Sequence, residues 1–284
     1  MPNVLMRQPK RVSTFRKISM GTWKTAKDPS VYGYIEIDMS EVFSQLDAYQ
    51  RKHQAKITPS HLVGRALTYC MRRRPEINGM VRNHRIYLRD EVALFYQVNI
   101  PGEPGSKVEK SNLAGAVIHQ AEKLTLAGLA QALGQKSNRV KKGEDLELKR
   151  NMNLFNFIPW RLTGLYLDFI SWLMYGLNLD LQFLGVPKDP FGSVMITNVG
   201  SIGVDVAWAP LVPYSRVPLL LAVGMVSDRP WVVNGELAVR PILPIGVTFD
   251  HRMIDGIHAS QMAKDFKECF SNPAAILFND ELKL

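Results

Sequence analysis

A chain of 284 residues has room for one large domain or two small ones, with volume enough for a true core. Its 46% hydrophobic and 21% charged content excludes global disorder, and 37 Gly and Pro residues (20 + 17) without a period exclude collagen-like and low-complexity classes. Lys and Arg outnumber Asp and Glu by 35 to 26, a net +9. Two cysteines, Cys70 and Cys269, are too few for a disulfide scaffold or a zinc cluster and suit a reducing compartment.

Met1–Arg16 lacks the apolar core of a secretion signal, and the first thirty positions are enriched in cations (Arg7, Lys10, Arg11, Arg16, Lys17, Lys24, Lys27). Val31–Ile37 alternates as a strand. Thr58-Pro59 reads as an N-cap with proline at the first helical position. Leu62, Val63, Ala66, Leu67, Cys70 and Met71 follow at helical spacing until Pro75 closes that helix. Glu91–Asn99 is strand-like, with Val92, Leu94, Tyr96 and Val98 on one face and Ala93 and Phe95 on the other. A Gly/Pro loop, Pro101–Gly105, precedes an apolar patch at Leu113–Ile118 and a helix from about Leu124 to Leu133.

Basic residues recur at Arg72–Arg74 and from Lys136 to Arg150, the latter interleaved with Glu144, Asp145 and Glu147. No zinc-finger spacing, RNP-like stretch or heptad-backed basic helix accompanies them, so a nucleic-acid partner is not expected. The next segment, Leu162–Leu177, is sixteen residues with one charge, Asp168. Its apolar residues surround the helical wheel, which predicts burial on nearly every side, within the protein or at a subunit interface. An interfacial or re-entrant membrane contact through residues 154–184 is the second reading. A span is the third, although the run falls short of the ~20 residues a span needs.

After Pro190 short strands dominate: Ser193–Thr197, Pro218–Val226 and Pro241–Phe249, with Asn234-Gly235 as a hairpin turn. A last helix carries Ala259, Met262, Ala263, Phe266 and Phe270 on one stripe. The pattern predicts an α/β (α+β two-layer) fold, a mixed β-sheet with helices packed on one side, in a single domain over 1–284. Gly102–Lys107 lacks the Gly-Lys-Ser/Thr ending of a phosphate loop, and neither a Gly-x-Ser-x-Gly elbow nor a metal-ligand spacing occurs. His53, His61, His84 and His119 stand in polar or helical contexts without an acidic or nucleophilic partner at an obvious spacing, and His258 opens the last helix. His251 differs. It follows the strand ending at Phe249, precedes an amphipathic helix, and has Asp255 four positions on. A junction of this kind can hold a neutral imidazole as a general base, or a histidine–aspartate structural pair.

Asp250-His-Arg-Met-Ile-Asp-Gly256 and Ser193-Val-Met-Ile-Thr-Asn-Val-Gly-Ser-Ile-Gly203 resemble the two signatures of the dihydrolipoamide acyltransferases, the core subunits of 2-oxoacid dehydrogenase complexes. Pro218–Val226, the Asn234-Gly235 hairpin and Asn272-Pro273 continue the likeness; Asp38–Glu41, the helix after Thr58 and Pro75–Asn78 match more loosely. The sister group, the chloramphenicol acetyltransferases, has an Arg-Lys pair 22 residues before an aspartate, as Arg16-Lys17 stands to Asp38 here.

The resemblance implies a chloramphenicol-acetyltransferase-like fold, a homotrimer with active sites between subunits, and a location in the cytoplasm. It implies a CoA-dependent acyltransferase with coenzyme A or acyl-CoA as substrate and no metal. His251 is then the general base, Thr197 donates to the oxyanion from the neighbouring subunit, and Asp255 pairs with Arg16 to aim His251. No lipoyl-lysine setting is present, so a separate lipoyl carrier protein or an unrelated thiol, hydroxyl or amine acceptor is expected. Residues 143–190 read as an insertion relative to the family. The competing readings are an inactive trimeric scaffold and a membrane-surface assembly protein of the same fold.

Overall fold

The computed structural model describes residues 28–100, 112–141, 159–182, 186–282 and 284. Arg16, the Pro101–Gly105 loop and residues 142–158 lie outside the described residues.

The strand β1 (Ser30–Asp38) is followed by helices α1 (Ser40–His53) and α2 (Pro59–Arg73) and a small hairpin, β2 (Gly79–Arg82) and β3 (Arg85–Leu88). Then come β4 (Leu94–Ile100), β5 (Asn112–Ile118), α3 (Leu126–Lys141) and α4 (Trp160–Ser171). The chain closes with β6 (Val194–Asn198), β7 (Leu219–Val223), β8 (Ser227–Val233), β9 (Glu236–Asp250) and α5 (Gly256–Ser271). Seven strands make one mixed sheet in the order β1-β9-β7-β6-β4-β5, with β8 on the first half of β9. The β7–β6 and β6–β4 pairs are parallel and the others antiparallel. Strands from both ends of the chain, β1 and β9, therefore lie side by side at one edge of the sheet.

Alternation assigns the two faces. Leu94, Tyr96, Val194, Ile196, Leu219, Leu221, Ile245, Val247 and Phe249 join the main core, beneath α1, α2, α3 and α5. The expected helix after Thr58 is α2: His61 completes its capping box with Thr58, and the six apolar residues of the sequence period are all buried. Cys70 on α2 and Cys269 on α5 are free, buried thiols in contact, and the hydrogen bond between them together with burial pushes the Cys70 thiol up. Arg65 is the largest fully buried side chain; its guanidinium donates to the carbonyls of Leu124 at 2.8 Å and Leu282 at 3.2 Å, tying α2 to the chain terminus.

The opposite face carries Phe95, Met195 and Leu220 and is covered by loop rather than helix. The segment 204–212 crosses it as a strap: Trp208 Nε1 donates to the Gly33 carbonyl at 2.7 Å, and Thr248 Oγ1 donates to Ala209 O at 2.8 Å. Helix α4 lies away from the four-helix layer. It contacts the turn Pro213–Ser215, and a cavity of about 2100 Å³ separates its Leu167 and Ile170, with Met174 just past its end, from Phe95 and Gln97 of β4.

Three sequence expectations change. Glu91–Asn99 becomes a strand only from Leu94, because the Val92 and Ala93 carbonyls accept from Ala121 N and Ser193 N instead of a strand ladder. His84 sits in a hairpin turn: Asn83 and His84 both take positive φ, 48° and 59°, the type I′ geometry. The aromatic segment is not buried on nearly every side, since Leu162, Leu165, Phe169 and Trp172 are exposed.

The distant histidine partners were invisible to local spacing. His53 Nε2 meets Asp280 at 2.9 Å and His119 Nδ1 meets Glu91 at 2.9 Å. His61 is buried at the N-terminus of α2, where its Nδ1 accepts from Thr58 N at 3.1 Å. Desolvation pushes its imidazole down to about 4. Above the ordinary histidine value near 6.5, neither folded nor unfolded chain binds this proton. Between ~6.5 and ~4 the unfolded chain takes it up and the folded chain does not, so stability falls with pH. The expected loss from this group between pH 7 and pH 4.5 is about 2–3 kcal/mol. His61→Gln keeps the capping acceptor and cannot titrate; urea unfolding at the two pH values should show the variant losing less stability than wild type by that amount.

Candidate active site

The end of β9 turns sharply, and the turn is made by Asp250. Its carbonyl accepts from both Met253 N (3.0 Å) and Ile254 N (2.9 Å), while its own N–H donates to Pro218 O at 2.9 Å. Its nearly buried carboxylate takes Arg252 in a two-pronged pair, Nη2 to Oδ2 at 2.6 Å and Nε to Oδ1 at 3.0 Å. Charge-assisted forks of this kind fix geometry as well as energy. His251 stands on this turn with its N–H donating to Pro29 O at 2.9 Å. Its ring stacks beside Phe249 with centroids 6.5 Å apart, and the residue is exposed. Asp250 and Arg252 thus shape the His251 loop; the aspartate opening the Asp-His-Arg triplet was the signal available for them.

Asp255 does a different local job. It is the N-cap of α5, and its Oδ1 accepts from Ile257 N and His258 N, each at 2.9 Å. His258 Nδ1 lies 2.9 Å from the same oxygen. The donated N–H of His258 holds this carboxyl below the usual aspartate range. The imidazole joined to Asp255 is therefore that of His258 and not of His251, and the cap is the aspartate's role among the described residues.

Thr197 is the penultimate residue of β6, in phase with Met195 on the face away from the helices. Its hydroxyl makes no hydrogen bond to a described residue. The next residue, Asn198, is fixed: Nδ2 donates to Ser60 Oγ at 3.0 Å and Oδ1 accepts from Ser201 N at 3.0 Å.

Register places Thr197 and His251 apart. Thr197 aligns with Ala222, and Ala222 with Gly246. His251 lies five residues further, just past the end of β9, so the two side chains are separated by about 17 Å along the strands, besides the width of two strand spacings. Within one chain, a histidine at one end of the sheet cannot share a substrate atom with the threonine at the other. Among the described residues no cluster of three or more His, Cys, Asp or Glu side chains could hold a metal ion.

Residues 7–149 and 191–278 match the family of 2-oxoacid dehydrogenases acyltransferase (catalytic domain), leaving out residues 150–190. The dihydrolipoyllysine-residue acetyltransferase component of the acetoin cleaving system of Bacillus subtilis is 27% identical over 230 residues, 80% of this chain and 45% of that protein. The chain thus spans about half the length of that curated relative. Among solved structures, the cubic core of a pyruvate dehydrogenase multienzyme complex superposes with a TM-score of 0.64 at 18% identity, covering 98% of this chain and 100% of the other. Azotobacter vinelandii dihydrolipoamide acetyltransferase gives 0.63 at 17% identity over 88% and 85%. The two signatures, the mixed sheet that holds them at its opposite ends, and the match across most of the sequence agree: the chain belongs to the 2-oxoacid dehydrogenase acyltransferase catalytic-domain family.

Proposed function

We propose that this chain is the catalytic unit of a CoA-dependent acyltransferase that works in the cytoplasm as a homotrimer, with each active site assembled from two subunits. The observation that carries the reading is the register offset between Thr197 and His251. Two signature residues that a single chain holds ~17 Å apart become useful together when a second copy brings its own Thr197 to the first copy's His251. Apolar surface for such an assembly is present on the β8–β9 hairpin, where Val232, Leu237 and Val239 are exposed.

In this site His251 takes the proton from the thiol of coenzyme A. The thiolate sulfur attacks the carbonyl carbon of an acyl thioester, such as that of a lipoyl arm on a separate carrier protein, and a C–S bond forms. The carbonyl oxygen becomes an oxyanion and accepts a hydrogen bond from the Thr197 hydroxyl. Collapse breaks the older C–S bond, and the departing thiolate recovers the proton from the His251 imidazolium. The reverse direction uses the same groups. The Azotobacter vinelandii structure is described in terms of a serine, a histidine and an asparagine in the catalytic mechanism, the last two spaced as His251 and Asp255 are. We assign Asp255 to orienting the loop through the α5 cap, with Arg16 as its further partner.

The test is release of coenzyme A thiol across a panel of acyl-CoAs, with dihydrolipoamide as acceptor. Thr197→Val removes the hydroxyl while preserving strand shape, and its kcat is expected to fall about 10²-fold with KM unchanged. A rate equal to wild type would remove Thr197 from the mechanism. An absence of thiol release above background from wild type on every thioester would leave the scaffold reading standing.

A further inference from the structure

No helix among the described residues is long and apolar enough to cross a membrane. The inner side of α4 instead roofs the cavity over β4. Half-buried Leu167 and Ile170 form that roof, with Met174 just past the helix end. The floor is sheet: Phe95 and Gln97 of β4, with Val117 and Gly115 of β5 opposite them in register. A Cβ at Gly115 would stand 2.1 Å from the Phe95 ring, so the glycine is what lets that ring lie over β5. A row of rings walls one side, with Phe95 and Phe191 centroids 5.9 Å apart and Phe191 and Tyr214 5.5 Å apart. The roof is tied down. The Gly176 carbonyl accepts from Arg82 Nε at 3.1 Å and Asn83 Nδ2 at 3.2 Å, and Arg216 Nε donates to Ser171 Oγ at 3.4 Å. At about 2100 Å³ the chamber is roughly twice the upper size of an ordinary small-molecule pocket.

Its position matters as much as its size. Phe95 aligns with Met195 and Tyr96 with Ile196 in the parallel β4–β6 pair, and one further step sets Gln97 beside Thr197. Gln97 is in phase with Phe95, and Thr197 with Met195, so both stand on the sheet face away from the helices. The chamber floor therefore ends about 4.8 Å, one strand spacing, from Thr197. The charged lining is either paired or set further off. Arg89 pairs with Asp189, and His119 with Glu91. Lys136 and Arg139 come from α3 at the β5 edge, two strands from β6, where Lys136 donates to the Val117 carbonyl.

The roof belongs to the stretch 150–190 that the family match leaves out, whereas Phe95, Gln97, Gly115 and Phe191 lie inside it. A shared sheet has thus acquired an added cover next to the position of the oxyanion donor. Acetyl, the group named for the Bacillus subtilis relative, would leave such a chamber unfilled. An apolar tail fills it, and each methylene taken out of water there strengthens binding. Resting on the acyl-transfer reading of Thr197, we infer that this chamber seats the acyl chain of the thioester, which makes medium- and long-chain apolar acyl groups the substrate class. The subunit that supplies Thr197 then also supplies the acyl seat, and Leu167, Ile170 and Met174 set chain-length preference.

The full chain is assayed for thiol release from acetyl-, hexanoyl- and decanoyl-CoA with dihydrolipoamide as acceptor, and binding of each thioester is measured by calorimetry without acceptor. Decanoyl-CoA is expected to exceed acetyl-CoA at least ~10-fold both in kcat/KM and in affinity. Ile170→Asp puts a carboxylate on the roof and is expected to remove at least ~10-fold from decanoyl-CoA on both measures, leaving acetyl-CoA within ~2-fold. Leu165→Asp, on the outer side of the same helix where Leu165 is 68% exposed, is expected to change neither. Affinity and kcat/KM that stay level or fall with chain length overturn the inference while leaving acyl transfer in place. It is also overturned if Ile170→Asp treats the two thioesters alike or if Leu165→Asp reproduces its loss. A protein that turns over none of the thioesters, yet binds decanoyl-CoA tightly and loses that binding in Ile170→Asp, overturns the acyl-transfer reading and keeps the seat.

Discussion

His251→Ala is expected to reduce kcat for coenzyme A-dependent acyl transfer by about 10³-fold while leaving the urea midpoint unchanged. The ring is exposed and, among the described residues, stacks on Phe249, so its removal costs the fold little. The sharper experiment combines two inactive proteins. If each active site takes His251 from one subunit and Thr197 from the next, His251→Ala and Thr197→Val chains unfolded together and refolded as mixed trimers regain function. With random assembly at equal amounts, about a quarter of the sites contain both intact residues, so the mixture returns to about a quarter of the wild-type rate. If the two residues acted within one chain, every chain in the mixture would be defective and the rate would stay at the sum of the parents. Both outcomes are read from one thiol-release assay, with the unmixed variants as blanks.

The second large effect is on stability, at Gly246. This glycine lies in β9 beneath the strap formed by residues 204–212, and a Cβ built on it would stand 2.0 Å from the Ala207 carbonyl oxygen. The obstructing atom is backbone, so no side-chain rotation relieves the contact. Gly246→Ala must lift the strap, releasing the Thr248–Ala209 and Trp208–Gly33 hydrogen bonds, at an expected cost of about 3 kcal/mol. The same chemical change at Gly134, exposed within α3 and with open space at its Cβ position, is expected to stabilise by about 0.5–1 kcal/mol. Urea midpoints for the two variants should move in opposite directions. A Gly246→Ala protein within ~1 kcal/mol of wild type would show that the strap is not held against the sheet.

Much of this architecture was legible because local and long-range signals coincide in it. Thr58-Pro59 and the buried period through Met71 announce α2 without ambiguity, and Asn234-Gly235, at φ 52° and 87°, announces the β8–β9 turn. Helix α1 was not legible: of its fourteen residues only Val42 and Tyr49 are buried, so it presents too thin an apolar stripe to stand out. The β2–β3 hairpin turns on Asn83-His84, and the missing glycine hid it. Partners far apart in sequence escaped for a different reason. His53 and Asp280 meet because α1 and the chain terminus pack together, and no spacing rule reaches across that separation. At the candidate site the residue types were readable, but the wiring was not: Asp255 beside His251 in a motif suggests one pair, whereas the first turn of α5 commits that carboxylate to His258 and two backbone N–H groups. The exposed face of α4 escaped because an apolar wheel alone cannot tell a protein neighbour from a solvent-facing or lipid-facing side.

The offset between Thr197 and His251 has a consequence for how the protein responds to its own abundance. A lone chain would carry the two halves of a reaction centre at opposite ends of its sheet, each incomplete. Dilution below the dissociation constant of the trimer would then extinguish turnover even with every chain folded, and the specific activity would rise with concentration before reaching a plateau. The protein's catalytic output would depend on its copy number as a collective property, switched by mass action without any bound regulator.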